Sequence, residues 1–433
     1  MFKHIFRTLR YRNFRLFFAG QNISLTGTWI QQVAMGWLVY RLTNSALLLG
    51  IVGFSSQIPT FVLSPLGGIV ADRFDRRKLL VITQSLSMIQ ALVLAALVFS
   101  GMVRAWHIIA LGFMLGCINS FDIPVRQSFL IEMVEKKENI GNAIALNSLM
   151  FNVSRMIGPS LAGIILALFG EGICFLLNGL SFMAVIWSLL IMDIPAWKRK
   201  AGPVDIALDI KEGVKYAFGF EPIRFILMLV SVISVVGMSY IILMPVFARD
   251  ILKGGPQTLG FLMAAGGIGA AVATVYLASR QTIVGLGRLI PVSLIVFALA
   301  IVLFSLSRAL WISVALLAAG GFGFMVSMAA CNIILQTISD DDKRGRVMSF
   351  YTMAFMGMAP IGSLASGALA NRIGVTGTLI IGALVCIIAS ILFAGAMPII
   401  RKRIHPIYRK MGIIPEVASG MNMVSELTIP PED

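Results

Sequence analysis

The sequence predicts an all-α membrane protein with twelve transmembrane helices arranged in two six-helix bundles. Hydrophobic residues make up 58% of the 433 residues and charged residues only 13%, whereas about one quarter of a soluble domain is charged. The apolar residues form long runs, and a run of about 18 residues or more is long enough to cross a bilayer as a helix. A polar stretch near the middle leaves the same number of runs on each side.

Twelve apolar runs follow one another along the chain. The predicted spans are, in order, about 15–42, 45–71, 79–101, 106–131, 141–169, 173–193, 223–250, 258–279, 289–306, 310–337, 345–371 and 376–398. They divide the chain into an N-terminal bundle (1–194), a linker (195–222), a C-terminal bundle (223–400) and a cytoplasmic tail (401–433). In the linker, Ile206, Ile210, Val214 and Phe218 recur at helical spacing, which favours an amphipathic helix over an irregular connection.

The basic residues predict the orientation of the chain. With the N-terminus inside, the cytoplasmic segments carry 25 Lys and Arg residues and the segments on the other side carry six. This asymmetry follows the positive-inside rule and places both termini in the cytoplasm. The net charge of +15 is spread over separate loops instead of one patch, which argues against nucleic-acid binding. We therefore expect a multi-pass protein of the bacterial inner membrane.

The two halves repeat a sequence pattern. Span 5 contains NVSRMIGPSLAG and span 11 contains MGMAPIGSLASG, and in each a small residue recurs every four positions. These residues are Ser154, Gly158 and Ala162 in span 5, and Ala359, Ser363 and Gly367 in span 11. Small residues at this spacing let another helix approach closely. Repeated six-helix halves are typical of transporters that bind substrate between the halves near the bilayer midplane.

A charged loop joins spans 2 and 3 on the predicted cytoplasmic side. The segment Asp72–Lys78 holds four cations and two acids, and orientation alone explains Lys78. Acids beside arginines at a helix end suit ion pairs and contacts with the helix dipole. Such a loop predicts a latch that joins the two halves in one state and releases them in another.

This loop resembles that of a known family. The pattern Gly68-x-x-x-Asp72-Arg73-x-x-Arg76-Arg77 resembles the signature loop between spans 2 and 3 of the major facilitator superfamily. The resemblance implies a major facilitator fold in which Asp72 faces the start of span 11, near Gly345–Val347. It also implies that Arg76 pairs with Glu132 or Glu135.

Other segments narrow the resemblance to one branch. Asp75 stands where the family usually has glycine, and this variant resembles the bacterial siderophore (enterobactin), macrolide and multidrug exporters. The segments FDIPVRQSFL and EGVKYAFGFEPIR resemble the same branch. In span 5, Ser154-x-x-x-Gly158-Pro159-x-x-Ala162-Gly163 is similar to the glycine–proline motif of exporters. Pro159 bends a helix, and the small residues favour packing on AAGGIGAAVA in span 8, although generic helix packing also explains them.

Charged residues inside the spans need a reason, because each one costs about 2.5–3.5 kcal/mol on insertion scales. Asp122 and Arg126 lie one turn apart in span 4, and both a structural ion pair and a functional role remain open. Arg155 lies about half-way along span 5, which contains no acid, so we expect it to face the cavity or a substrate. Asp122 is the only acid well inside a span and is the candidate for proton coupling.

Polar and methionine side chains predict the cavity lining. Span 1 carries a polar stripe of Gln21, Ser24, Thr28 and Gln31, and span 10 carries Met325, Met328, Asn332 and Gln336. A polar stripe inside a membrane faces water or a partner, and flexible methionines suit loosely bound apolar molecules. An amphiphilic substrate that contacts both spans fits this distribution.

No catalytic, cofactor or metal motif is present. The sequence lacks a P-loop, HExxH and GxSxG, its three histidines lie at or beyond the span ends, and its four cysteines fall in separate spans. We therefore expect no enzyme but a monomeric secondary transporter that exports a small amphiphilic molecule by alternating access in exchange for protons. An importer or lipid transporter of the same fold, or a membrane sensor that transports nothing, are the alternatives.

Overall fold

The computed structural model describes residues 7–134, 139–193, 216–237, 239–280, 282–340 and 343–411, and nearly all of them are helical. Most of the linker, and with it most of the predicted amphipathic helix, lies outside the described residues. The last helix runs to Lys410, so the first ten residues of the predicted tail extend the bundle. Ile404 and Tyr408 are buried there.

The N-terminal half contains six helical segments. Its first four helices are α1 (Arg12–Thr43), α2 (Ala46–Arg73), α3 (Arg76–Phe99) and α4 (Ala105–Glu132). A fifth stretch, Ile140–Ile191, leaves helical geometry at Gly170, where φ is 78°. Such a left-handed conformation suits glycine, which has no Cβ.

The chain reverses direction at Gly170. Gly158 packs on Trp29 of α1, and Asn178 packs on Gly27 of the same helix. Residues 158 and 178 would be about 30 Å apart along a straight helix, yet both contact one turn of α1. The stretch is therefore two antiparallel helices, α5 (140–169) and α6 (171–191).

The C-terminal half follows the same plan. Its α7 comprises Glu221–Gly237, Ser239–Val246 and a π-helical end, Phe247–Ile251, and is followed by α8 (Pro256–Ser279), α9 (Leu286–Leu306) and α10 (Leu310–Ile338). The last stretch begins with Arg344–Thr352, continues through a π-helical turn, Met353–Gly357, and ends as Ala359–Lys410.

A second reversal occurs at Gly374, where φ is 80°. Gly362 packs on Val235 and Gly382 packs on Val236, so both sides of the break contact one turn of α7. The stretch is thus α11 (344–373) followed by α12 (375–410). Nine described helical stretches are long and apolar enough to span a membrane. Two of these stretches contain a reversal, so each of them accounts for two crossings. Helix α1 is more polar than these nine and is 32 residues long, enough to cross once more. The described helices are therefore consistent with twelve crossings.

The two halves meet through paired helices. Here the "terminal end" is the end near residues 12 and 410, and the "opposite end" contains Gly170 and Gly374. Helix α2 packs on α11, where a Cβ on Gly50 would lie 3.0 Å from the Cα of Gly367. Helix α5 packs on α8, where a Cβ on Gly163 would lie 2.9 Å from the Cα of Gly260. Backbones this close require glycine, and both crossings lie toward the opposite end.

Candidate substrate pathway between the two halves

The opposite end of the pathway is closed by polar contacts between the halves. Tyr40 at the end of α1 donates a hydrogen bond to the carboxylate of Asp250. Arg249 donates to the side-chain oxygen of Asn44 at 2.8 Å and lies over the Tyr40 ring at 5.7 Å. Asp250 and Arg249 both belong to the π-helical end of α7. These contacts join α1 to α7 across the junction of the halves.

The terminal end of the pathway is open around the charged loop. The Asp72 side chain is 72% exposed, and a Cβ added to Gly345 would meet no atom within 4 Å. The implied contact between Asp72 and the start of α11 near Gly345–Val347 is therefore not made in this structure. The physical reason is that Asp72 pairs with Arg76 of its own half and is otherwise exposed to solvent here.

The charged loop is instead fixed to its own half. Arg76 pairs with Glu132 at the end of α4 at 2.6 Å and with Asp72 at 3.2 Å, whereas Glu135 lies outside the described residues. Arg77 donates to the carbonyl oxygens of Leu189 and Leu190 in α6 at 2.6 and 2.5 Å. The loop thus joins α2, α4 and α6.

The remaining loop residues have separate roles. The Asp75 carboxylate caps α3 by accepting hydrogen bonds from the backbone nitrogens of Arg77 and Lys78, which satisfies two of the free donors of that helix end. The side chain of Arg73 is exposed, and a Cβ on Gly68 would meet open space. The acid that distinguishes this loop from the usual family pattern is therefore a helix cap.

Asp122 lies at the centre of a buried polar cluster in the N-terminal half. Only 4% of the residue is exposed. Its carboxylate accepts hydrogen bonds from Thr83 and Gln84 of α3, both at 2.8 Å, and forms an ion pair with Arg126 at 3.4 Å. Three side chains from two helices therefore hold this one buried carboxylate. Among the described residues, the Gln84 side-chain oxygen is buried without a partner.

Most of the polar stripe of α1 does not line the pathway. Gln21, Ser24 and Gln31 are buried, and Gln31 accepts from Asn178 of α6 at 2.8 Å and donates to Gln90 of α3 at 3.0 Å. The prediction of a cavity-lining stripe is wrong for these three residues, because they are buried. Side chains of the N-terminal half satisfy Gln31, whereas the Gln21 side-chain oxygen has no hydrogen-bond partner among the described residues. Partly buried Thr28 donates to the Ser24 carbonyl oxygen at 2.9 Å.

Helix α1 also contains an exposed polar residue that the sequence pattern does not single out. Gln32 is exposed although it lies within the helix. It follows the buried Gln31 directly, and two adjacent glutamines give the same signal in the sequence. Only the partners of Gln31, which are distant in sequence, separate the two.

The four predicted residues of α10 are divided between packing and exposure. Met328 is buried, and its carbonyl oxygen accepts a hydrogen bond from Tyr351 of α11 at 3.2 Å. Met325 and Asn332 are partly buried and Gln336 is exposed. Gln336 donates to the side-chain oxygen of Asn332 at 2.6 Å. This amide pair and Met325 are the accessible part of the group.

The exporter-like motif of α5 packs on two different helices. Gly158 faces α1, where a Cβ would lie 2.5 Å from the Trp29 Cβ, while Gly163 faces Gly260 of α8. The Pro159 carbonyl oxygen would lie 2.9 Å from a Cβ on Gly260. Ala162 is buried, and buried Ser154 accepts a hydrogen bond from Thr26 of α1 at 3.4 Å. The motif therefore holds α5 between the two halves.

Arg155 lies where α5 crosses α8. A Cβ on Gly267 would lie 3.1 Å from the Arg155 carbonyl oxygen, and a Cβ on Gly266 would lie 3.5 Å from the Tyr240 hydroxyl. The Arg155 charge acts electrostatically on Tyr240 of α7. The arginine is partly buried, and none of the described acids pairs with it.

Two six-helix halves that cross at α2–α11 and α5–α8 define a transporter with the major facilitator fold. The model of the family described as "Transmembrane secretion effector" matches residues 4–405. The chain belongs to this family of the major facilitator superfamily, and it resembles the siderophore and drug exporter branch of that superfamily.

Similar proteins include three bacterial transporters. A staphyloferrin A transporter of Staphylococcus aureus is 28% identical over 84% of this chain and 91% of its own length. The multidrug efflux pump Tap of Mycolicibacterium fortuitum is 24% identical over 81% of this chain and 88% of its own. Macrolide efflux protein A of Streptococcus pyogenes is 23% identical over 87% and 96%.

Solved structures agree on the fold. An inward-facing, occupied bacterial homologue of the human lysosomal transporter Spinster has a TM-score of 0.70, with 13% identity over 91% of this chain and 98% of its own. The nucleoside transporter NupG has a TM-score of 0.69 at 13% identity, over 90% and 99%.

Proposed function

We propose that this protein is a secondary active exporter of the bacterial inner membrane. It carries a small amphiphilic molecule, a siderophore or a drug-like compound, outward by alternating access and in exchange for protons, and it works as a monomer. Both termini are cytoplasmic in this proposal, since the basic loops lie at the terminal end. The described conformation is then open to the cytoplasm.

One observation carries the proposal, namely that among the described residues polar contacts join the halves at the opposite end, while Asp72 at the terminal end makes no contact with the other half. Tyr40, Asn44, Arg249 and Asp250 connect them at the opposite end, whereas Asp72 is exposed at the terminal end. In the second state we expect the Asp72–Lys78 loop to meet the start of α11 and the opposite end to open. A rocking motion of two halves that exchanges these contacts is alternating access.

The packing of α5 and the relatives support export. The motif from Ser154 to Gly163 brings α5 against α8 toward the opposite end, which favours an outward seal in the resting state. The similar proteins are named for staphyloferrin A, macrolides and drugs, and the first of these names supports the siderophore class.

Asp122 is the proposed proton site. A proton on its carboxylate removes the charge that holds Arg126, so protonation and release of Arg126 are linked. The partly exposed Arg126 is then free to contact substrate or water. Proton binding at the buried cluster thereby changes the charge presented to the pathway.

Everted membrane vesicles test this function. Vesicles containing the protein are energised with lactate and given radiolabelled staphyloferrin A or, separately, radiolabelled erythromycin. We expect at least one compound to accumulate above the level in vesicles without the protein, and a protonophore to abolish the difference. Accumulation of neither compound, with the protein present by immunoblot, contradicts the proposal. Accumulation confined to right-side-out vesicles assigns import instead.

A further inference from the structure

Arg155 is a cation without a compensating acid near the middle of the membrane. It lies half-way along α5, which spans 140–169. Within the described part of the chain, the acids in the spans are engaged elsewhere. Asp122 pairs with Arg126, Glu171 pairs with Arg41 at 2.6 Å, and Asp250 accepts from Tyr40. An unpaired cation at this depth is unfavourable and marks a substrate or ion pathway.

The surroundings of Arg155 are apolar on one side and polar on the other. Phe151, Arg155 and Gly158 share a face of α5 by their spacing. Trp29 of α1 contacts this face, with its ring 5.8 Å from the Phe151 ring in an edge-on arrangement. The Tyr240 hydroxyl of α7 lies on the other side, next to the α5–α8 crossing. A ligand here meets aromatic surface and one guanidinium group, and the Tyr240 side chain next to them is buried.

We propose that the transported amphiphile is an anion and that its carboxylate binds Arg155. This inference rests on the proposed transport function and names its substrate class. A guanidinium binds a carboxylate through two parallel hydrogen bonds, and one cation balances one carboxylate. The Trp29–Phe151 pair accommodates the apolar part of the same molecule.

An anionic substrate also has a consequence for the driving force. The interior of a bacterial cell is electrically negative, so the membrane potential drives an anion outward. Export of a monoanion in exchange for a proton moves net negative charge outward, which uses both the potential and the pH gradient. Arg155 also lowers the barrier that a carboxylate meets at the membrane centre.

Equilibrium dialysis with matched probes tests the charge preference. The protein in nanodiscs is dialysed against N-dansyl-phenylalanine, its methyl ester and its phosphonate analogue, and binding to empty nanodiscs is subtracted. The variants are Arg155→Gln, Arg155→Lys and the matched control Arg104→Gln, which changes an exposed arginine outside the pathway. Size-exclusion profiles and melting curves confirm that each variant folds.

We expect the wild type to bind the acid at least about tenfold more tightly than the ester. The ester loses at least one hydrogen bond to a charged group, and the loss of one such bond corresponds to a change of this size in affinity. Arg155→Gln brings this ratio close to one, Arg155→Lys keeps part of it, and Arg104→Gln leaves it unchanged. Equal binding of acid and ester by the wild type, or a preference that persists in Arg155→Gln, overturns the assignment. Tighter binding of the phosphonate overturns the carboxylate class. If Arg155→Gln does not fold, the wild-type ratio and Arg155→Lys decide.

Proteoliposomes separate this inference from the transport function. If the binding preference holds but the wild type moves neither probe, the site assignment stands and the exporter function fails. If acid and ester are transported equally fast, transport stands and the anionic class fails.

Discussion

Single residues show why similar side chains have different roles in this protein. Asp122 and Asp72 are both aspartates beside an arginine, but Asp122 is buried with three donors whereas Asp72 is exposed. A substitution at Asp122 therefore changes a buried charge, while one at Asp72 changes a surface group in this conformation. The substitution at Asp122 changes the free energy of the described state. The substitution at Asp72 changes the free energy of the second state, in which the loop is expected to meet the start of α11.

Replacing Asp122 tests the proton site. Asp122→Asn has no carboxylate to bind or release a proton, so we expect uptake driven by a pH gradient to fall to the background while the protein still binds substrate. The measurement is gradient-driven transport in proteoliposomes beside equilibrium exchange. Thr83→Val is the control, because it removes one hydrogen bond and keeps the acid. Normal gradient-driven transport by Asp122→Asn excludes Asp122 as the coupling residue.

Replacing Asp75 tests the cap of α3. Asp75→Ala removes the acceptor for two backbone nitrogens, and we expect it to lower the free energy of unfolding by about 0.5–2 kcal/mol. Asp75→Asn keeps an acceptor and is the matched control. Equal melting temperatures for the alanine and asparagine variants show that the cap contributes nothing measurable.

At the level of elements, glycine sets how closely the two halves approach. The α5–α8 and α2–α11 crossings both bring glycine backbones together, at Gly163 and Gly260 and at Gly50 and Gly367. A membrane helix has little hydrophobic gain from packing on another helix, so backbone proximity and van der Waals contact hold such a junction. The junction is therefore sensitive to one added methyl group.

The α5–α8 crossing is tested by Gly163→Ala. The added Cβ would lie 2.9 Å from the Cα of Gly260, so we expect a loss of about 1–3 kcal/mol of stability from overpacking. Gly395→Ala in α12 is the matched control, since its Cβ meets open space and alanine favours the helix. Thermal unfolding in detergent compares the two. If Gly163→Ala is as stable to thermal unfolding as Gly395→Ala, then α5 and α8 can move apart without a loss of stability.

Helix positions were predictable from the sequence, whereas the partners of polar residues were not. Hydropathy is local, so the breaks at Gly170 and Gly374 fall between predicted spans. A buried amide network and a cavity lining give the same polar stripe, so the sequence does not distinguish them for Gln31, whose partners Gln90 and Asn178 are far away in sequence. The contact implied for Asp72 depends on the relative position of the halves, which no local pattern encodes.

The molecule as a whole is balanced between contacts at its two ends. The described state keeps Tyr40 and Asp250 in contact across the opposite end and leaves the terminal end open. A substitution that weakens the contact at one end shifts the population toward the other state. The size of the shift is set by how much the free energy of that contact differs between the two states. Residues at the two ends are therefore coupled through the rigid halves.

Removing the contact at the opposite end tests this coupling. Tyr40→Phe loses the hydrogen bond to Asp250, and we expect a larger fraction of molecules with the opposite end open. The readout is the labelling rate of a cysteine placed at position 36, on α1 beside Pro245, in a protein whose native cysteines are replaced. Tyr11→Phe is a control, since its hydroxyl accepts a bond from Asn139 within one half. An unchanged labelling rate in Tyr40→Phe shows that this contact does not hold the end closed.

The most direct test of alternating access measures the distance between the two halves at each end of the protein by pulsed electron spin resonance. One spin-label pair is placed at positions 74 and 345 at the terminal end and another, in a separate sample, at positions 102 and 311 at the opposite end. Adding substrate or a proton gradient is predicted to shorten the first distance and lengthen the second, and Asp72→Asn is predicted to reduce the population with the short first distance. Distances that stay fixed at both ends, or that change at one end alone, contradict the account.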